Sequence, residues 1–425
     1  MTNRIVLIGA GSAMFGLGML GDIFNRPSLA GSTVVLHDIN PDALARVEGH
    51  ARQYVEAEGL DYEIVATTSR EEALTGADFC IISIEIGDRY ELWEQDWTVP
   101  LQYGIPQVYG ENGGPGGFFH ALRIIPPILD ICADIQTICP EAHVLNLSNP
   151  MMRISHAVHT KFPKLRYVGL CHEIASLPYH LPRMLGTPFS NLEIQAGGFN
   201  HFSVLLKARY KDTGVDAYPD IRAKAPDYLA GLPGLGLFHV ILERFGLLPI
   251  TVDSHFGEYI QWAQDVVDHR GILDYYRNYK ASCLEPPAPP QERLAAGTGE
   301  EEGWSVIDII DALAAGKRYD VLAINVPNDG LIDNLPADQV VEAPGVIDAD
   351  GIHGVKLGAL PAGFAGLLMN QVAINRMTTE TVLTGSREIA LQALLVDPVV
   401  NSFHAAKQLL DTMLDYQAEY LSYIK

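Results

Sequence analysis

Arg4-Ile5-Val6-Leu7-Ile8 is an apolar, largely β-branched run that stops abruptly at Gly9-Ala10-Gly11-Ser12, and residues 15–23 then carry a helical hydrophobic pattern. Strand, tight glycine turn and helix in that order belong to open α/β architectures, so this opening restricts the fold more than any other stretch. The glycines let a backbone approach a pyrophosphate, and the helix N-terminus offers unpaired N–H groups and a positive dipole end. Met14 stands where G-x-G-x-x-G has its third glycine, so the turn alone fits either a nucleotide loop or a plain strand-helix junction.

The next segments favour the nucleotide loop. Thr33-Val34-Val35-Leu36-His37-Asp38 reads as a second strand ending in an acid, which can accept hydrogen bonds from both ribose hydroxyls and repels a 2′-phosphate. NAD is therefore expected over NADP. Further strands are expected at 78–86, 143–147 and 166–170, separated by helical stretches such as 121–136. The expected fold is a Rossmann-type doubly wound parallel sheet with a second α+β domain, as in lactate and malate dehydrogenases. Ligands of such sheets sit at the carboxyl ends of the strands, which places residues 84–88, Asn149-Pro150 and Cys171-His172-Glu173 at one crevice, with Glu85 expected on the cofactor.

With 425 residues the chain exceeds one core, and the expected division is a nucleotide domain at 1–190 and a substrate and metal domain at 191–425. Residues beyond 380 read as mostly helical and are expected to return to the first domain. The five cysteines are odd in number and irregularly spaced, which suggests neither a disulfide framework nor a zinc ribbon. A net charge of -23 argues against nucleic acid and anionic membrane surfaces as partners. The opening residues lack a signal-peptide pattern, so a cytoplasmic location is expected.

Cys171 and His201 each end an apolar segment, and a thiolate and an imidazole are competent metal donors. Two such ligands leave positions open for a substrate, although either residue alone reads equally as a buried thiol or a core histidine. The run Gly110-Glu111-Asn112-Gly113-Gly114-Pro115-Gly116-Gly117 is too flexible for a strand or helix interior. It can bring backbone amides and Glu111 or Asn112 against a ligand. Asp253-Ser254-His255-Phe256-Gly257-Glu258-Tyr259 gathers four titratable side chains and reads either as a source of a general base or as the polar start of a helix reaching Val267.

Taken together, the Gly-x-Gly-Ser loop, the Gly110 run with Ala121-Leu122-Arg123, Asn149-Pro150, Cys171, Gly198-Phe199-Asn200-His201 and Asn325-Val326-Pro327-Asn328-Asp329-Gly330 resemble glycoside hydrolase family 4. That family departs from two-carboxylate hydrolysis in being NAD-dependent. Cys171-His172-Glu173 looks like its branch acting on unphosphorylated α-glycosides, which holds α-glucosidases, α-glucuronidases and α-galacturonidases. The resemblance implies a divalent metal on Cys171 and His201, usually manganese where ligand softness alone favours zinc. It implies oxidation at C3 of the sugar by NAD+, removal of the C2 proton, elimination of the leaving group, addition of water and re-reduction. The base is expected to be Asp253, with Tyr259 or His255 as alternatives, and His172 to protonate the leaving oxygen. Asn149, Glu111 and Asn112 are expected on the sugar, with Arg123 or Arg153 pairing a carboxylate if the sugar is a uronic acid. A homodimer or homotetramer follows from the resemblance as well. The competing readings are an NAD-dependent 2-hydroxyacid dehydrogenase, which needs no metal cysteine, and an inactive NAD-binding regulator.

Overall fold

The computed structural model describes residues 2–11, 16–285, 288–298 and 305–425. Ser12 and Met14 of the glycine turn lie outside the described residues. Twelve strands form one sheet among these residues: β1 Arg4–Ile8, β2 Thr33–His37, β3 Glu63–Thr67, β4 Phe79–Ile82, β5 His143–Asn146, β6 Tyr167–Gly169, β7 Leu192–Phe199, β8 Phe202–Tyr210, β9 Leu248–Pro249, β10 Tyr319–Pro327, β11 Val340–Asp348 and β12 Gly351–Gly354. Strands β3-β2-β1-β4-β5-β6 pair in parallel, the order of a dinucleotide fold with helical crossovers. Beyond β6 the sheet continues antiparallel through β10, β11, β7, β8 and β9.

The central strands are continuous apolar runs because helices cover both faces; all four side chains of β4 are buried. That strand ends at Ile82, earlier than the expected 78–86. Residues 83–88 instead leave the sheet as a loop after Ser83 donates to the Ile8 carbonyl at 2.9 Å. The glycine run also departs from expectation: the helix Gly114–Ile138 begins inside it. A Cβ on Gly117 would stand 2.2 Å from the Asn112 carbonyl, so this helix start packs against the preceding turn only without a side chain. The segment from 253 to 267 is a series of short turns, Asp253–Phe256, Gly257–Tyr259 and Ala263–Asp265, rather than one helix.

One apolar core runs from Ile5 and Leu36 through Phe202 and Leu242 to Val372, joining both halves of the sheet. The helices Arg387–Val396 and Phe403–Tyr416 pack on the helices Arg89–Gln102 and Gly114–Ile138 through a separate cluster that includes Leu122, Leu394 and Leu409. No helix among the described residues is long and apolar enough to cross a membrane.

Buried His156 ties the helix Met151–Lys161 to Ala362–Thr384, with Nδ1 2.9 Å from Thr379 Oγ1 and Nε2 3.1 Å from Gln339 Nε2. An amide N–H facing Nε2 requires a neutral ring, and burial lowers its pKa from 6.5 to about 4. Because the folded value is depressed, the unfolded chain takes up the proton first as pH falls. The contribution is complete above pH 6.5 and is lost toward pH 4, up to about 3 kcal/mol. His156→Gln is expected to flatten the fall of unfolding free energy across that window; an unchanged slope in urea titrations would remove His156 as its source.

Candidate active site

A cavity of about 1070 Å³ opens along the carboxyl ends of the parallel strands, large enough for a dinucleotide and a sugar together. At one end Gly9 adopts φ +86°, and any Cβ there would lie 2.2 Å from the Ser83 carbonyl oxygen. The Gly11 amide donates to Asp38 Oδ2 at 2.8 Å, so the turn after β1 and the acid after β2 meet directly. Gly9, Gly11, Asp38 and Glu85 all line the cavity.

At the other end Cys171 follows β6 by two residues, and His201 sits in the turn between β7 and β8. His201 has φ 62°, a backbone region that a non-glycine residue rarely takes. Buried Glu173 holds it there, accepting the His201 amide at 2.5 Å and Asn200 Nδ2 at 2.7 Å, while Glu342 accepts from the same Asn200 nitrogen at 2.9 Å. Burial, helped by Glu342, raises the Glu173 pKa well above the carboxylate range. Cys171 Sγ lies 3.3 Å from His201 Nε2.

The pair fits a divalent ion. Two ligands at roughly 2.0–2.3 Å from one ion stand about 3.1–3.5 Å apart, which brackets the observed separation. His201 Nδ1 is buried without a hydrogen-bond partner among the described residues. Burial pushes the Cys171 thiol far above its usual range and the His201 imidazole far below its own; a cation between them favours both ligating forms. No group of three or more His, Cys, Asp or Glu suited to a metal is present among the described residues.

From that pair a chain of contacts leads to a cation that the sequence reading passed over. The His255 ring centroid is 4.5 Å from that of His201, His255 Nε2 is 3.6 Å from Glu111 Oε2, and Glu111 Oε1 accepts from Arg89 Nη2 at 2.9 Å. Arg89 opens the helix Arg89–Gln102, four residues after Glu85 in the preceding loop, and no local sequence signal marked it. His120 reaches Glu85 Oε1 at 3.2 Å and the Glu111 carbonyl oxygen at 2.9 Å. Although burial opposes ionisation, His120 and Arg89 hold Glu85 down at about 2. Glu258, one of the four titratable groups of its segment, has a role that the segment alone does not show: its carboxylate accepts the amides of Glu111, Asn112 and Gly113, which fixes the Glu111 loop from behind. His172 and Asn149 line the cavity beside Cys171, and Asn149 Oδ1 accepts the Met151 amide at 3.2 Å.

Four expected site residues stand elsewhere. Asp253 is fully buried and accepts the Leu237 and Phe238 amides at 2.9 and 3.3 Å, serving as the N-terminal acceptor for the helix Gly236–Phe245, whose own flanking Leu235 has no side chain to cap it. Burial pushes its pKa up to about 7, but it is not among the residues that line the cavity. Tyr259 stacks on Phe202 at 4.8 Å, away from the cavity. Asn112 faces a void of about 10 Å³ that Tyr259 and Arg153 also line. Arg123 makes a two-pronged pair with Asp96 at 2.9 and 2.5 Å and reaches Gln417 at 2.7 Å, pinning the C-terminal helices to the helix Arg89–Gln102. Asp253→Asn is accordingly expected to cost about 1–2 kcal/mol of stability with turnover per folded molecule unchanged. A loss on the order of 10²–10⁴-fold in kcat without loss of fold would return Asp253 to the role of base.

A dinucleotide fold whose cavity ends in a Cys-His pair with the spacing of two metal ligands fits a class of nucleotide-fold enzymes with a metal-assisted site. Residues 4–187 match the Family 4 glycosyl hydrolase model and residues 196–400 match the Family 4 glycosyl hydrolase C-terminal domain. The chain belongs to glycosyl hydrolase family 4. An Alpha-glucosidase of Erwinia rhapontici is 50% identical over 100% of both chains. An Alpha-galacturonidase of Thermoanaerobacterium saccharolyticum is 31% identical, covering 98% of this chain and 96% of the relative. The fold is similar to a solved 6-phospho-alpha-glucosidase from gut microorganisms in complex with NAD and Mn2+, with a TM-score of 0.82 at 20% identity, covering 98% of each chain.

Proposed function

We propose that this protein hydrolyses unphosphorylated α-glycosides with bound NAD+ and a divalent metal, manganese in the first instance. The observation that carries the reading is the Cys171–His201 pair, 3.3 Å apart, opening into the same cavity as the Gly9 turn and Asp38. When bound, NAD+ would supply a hydride acceptor for C3 of the sugar and the divalent metal a positive charge that acidifies the C2 proton. Gly9, Gly11 and Asp38 hold the nucleotide, and Cys171 with His201 hold the metal. Asn149 orients the sugar hydroxyls. His255, facing both His201 and Glu111, takes the C2 proton in place of buried Asp253 and displaced Tyr259. His172, beside Cys171, supplies the proton to the leaving oxygen.

On this reading a division near residue 190 separates a nucleotide half from a sugar half, with one metal ligand drawn from each. Identity to an α-glucosidase over the full length supports the α-glycoside substrate. The test is release of nitrophenol from p-nitrophenyl α-glycosides with Mn2+, catalytic NAD+ and a thiol, followed by deuterium uptake at C2 in D2O. Retention of the C2 proton would sink the elimination route. Stoichiometric NADH from malate or lactate would replace the whole reading with a dehydrogenase.

A further inference from the structure

We infer that the ring of Tyr275 is a platform for the leaving group, against which the aglycone packs when it is itself a ring, sugar or aryl. The inference rests on the glycosidase reading above and adds a specificity-determining residue to it. Tyr275 projects from the helix His269–Leu284 and lines the cavity, with 42% of its surface open to the cavity and the solvent beyond. Its neighbour Tyr276 is buried, edge-on to Trp93 and Trp97. One tyrosine of the helix thus serves the core, and the one before it is left open. Among the described residues the ring most nearly parallel to Tyr275 is Tyr279, at 15°, but their centres are 6.2 Å apart and the two overlap little. The other widely exposed aromatic of the lining, Tyr179, already has the Arg183 guanidinium 3.7 Å from its ring centre.

Its place in the site is beside the groups that act at C1 and C2. The ring centre of His255, the base of the reading above, is 4.5 Å from that of His201 and 6.0 Å from that of Tyr275. Burial apart, the Glu111 charge acts most strongly on both Tyr275 and His172, the proposed acid. Acid, base and Tyr275 are therefore gathered around one carboxylate, and the Gly9 turn stands at the far end of the cavity. A sugar held between the nicotinamide and the Cys171–His201 pair turns its leaving oxygen to His172, so what continues past that oxygen meets Tyr275. A pyranose offers an apolar face of C–H groups and an aryl ring its π face; either removes aromatic surface from water. Fluoride or a methoxy group has no such face.

The experiment measures kcat/KM for α-glucosyl fluoride, methyl α-glucoside, p-nitrophenyl α-glucoside and maltose with protein loaded with NAD+ and Mn2+, and repeats the series with Tyr275→Ala and Tyr275→Phe. All four substrates lose the same C2 proton, so a change in their ratios reads contacts to the leaving group. Tyr275→Ala is expected to lower kcat/KM for the two ring-bearing substrates about 10-fold more than for the fluoride and the methyl glycoside. Tyr275→Phe should keep the parent's ratios, and NAD+ affinity, followed by fluorescence, should not move in either variant. A loss in only one of the ring-bearing pair would bear out the platform and say which ring it serves. Equal losses on all four substrates would place Tyr275 against the glycon or the base and overturn the inference, as would a fall in NAD+ affinity, which would assign the ring to the nicotinamide. A phenylalanine variant that behaves like alanine would shift the effect to the hydroxyl and overturn the stated cause. Failure to cleave any glycoside would refute the glycosidase reading; calorimetric binding of the intact methyl and p-nitrophenyl glucosides to the same proteins would then still decide whether Tyr275 favours a ring.

Discussion

Cys171→Ser is expected to lower α-glycoside turnover on the order of 10³-fold or more while leaving the fold intact. The thiol is 7% exposed and borders the cavity, so serine removes little packing. What it removes is a soft anionic donor: a serine hydroxyl is rarely deprotonated at the pH where a cation converts a thiol to thiolate. His201 alone then faces the ion, and one ligand does not retain it against solvent. The measurement pairs metal stoichiometry after dialysis with nitrophenol release across a manganese titration. NAD+ binding, followed by fluorescence, should persist, since Gly9 and Asp38 stand at the far end of the cavity. Wild-type turnover by the serine variant at equal manganese would remove Cys171 from the metal site.

The second large effect is expected at a residue that touches neither cofactor nor sugar. Glu258 is fully buried, and its carboxylate satisfies the three successive amides of Glu111, Asn112 and Gly113 at the mouth of the helix Gly114–Ile138. Burial, helped by the Glu111 charge, pushes its pKa up to about 8 against the pull of those donors. Glu258→Ala leaves three amides unpaired in the interior and should cost about 3–5 kcal/mol. It also frees the Glu111 loop, so kcat should fall in the fraction that remains folded. Glu258→Gln keeps an acceptor and should recover most of the stability. Urea melts together with kcat per folded molecule separate the two consequences; an alanine variant as stable as the parent would show that water satisfies these amides.

The nucleotide half was legible because its signals are local. An apolar run, two glycines and an acid after the second strand each report a neighbour within a few tens of residues, and the strand order follows from alternation with helices. Cys171 and His201 were paired through family motifs rather than through spacing, since 29 residues and the strand β7 separate them. The misplacement of Asp253 has a physical reason. A carboxylate in a polar cluster looks the same whether it faces a cavity or the free amides of a helix, and the helix it serves begins 17 residues earlier. Arg123 misled similarly, because its partner Asp96 lies on another helix and nothing local marks the pair. The loop-fixing role of Glu258, and Arg89 altogether, escaped the sequence because what they do is visible only in partners 145 or more and 22 residues away.

The strands that carry the nucleotide and those that carry His201 belong to one hydrogen-bonded sheet with a shared apolar core. Asn325 of β10 pairs with Gly169 of β6, two residues before Cys171, so the junction of the halves is also the root of the metal pair. Among the described residues the two halves are thus joined through backbone pairing as well as through side-chain packing. Heating should give a single cooperative calorimetric transition rather than two, and a ligand at either end of the cavity should raise that one melting temperature for the whole chain.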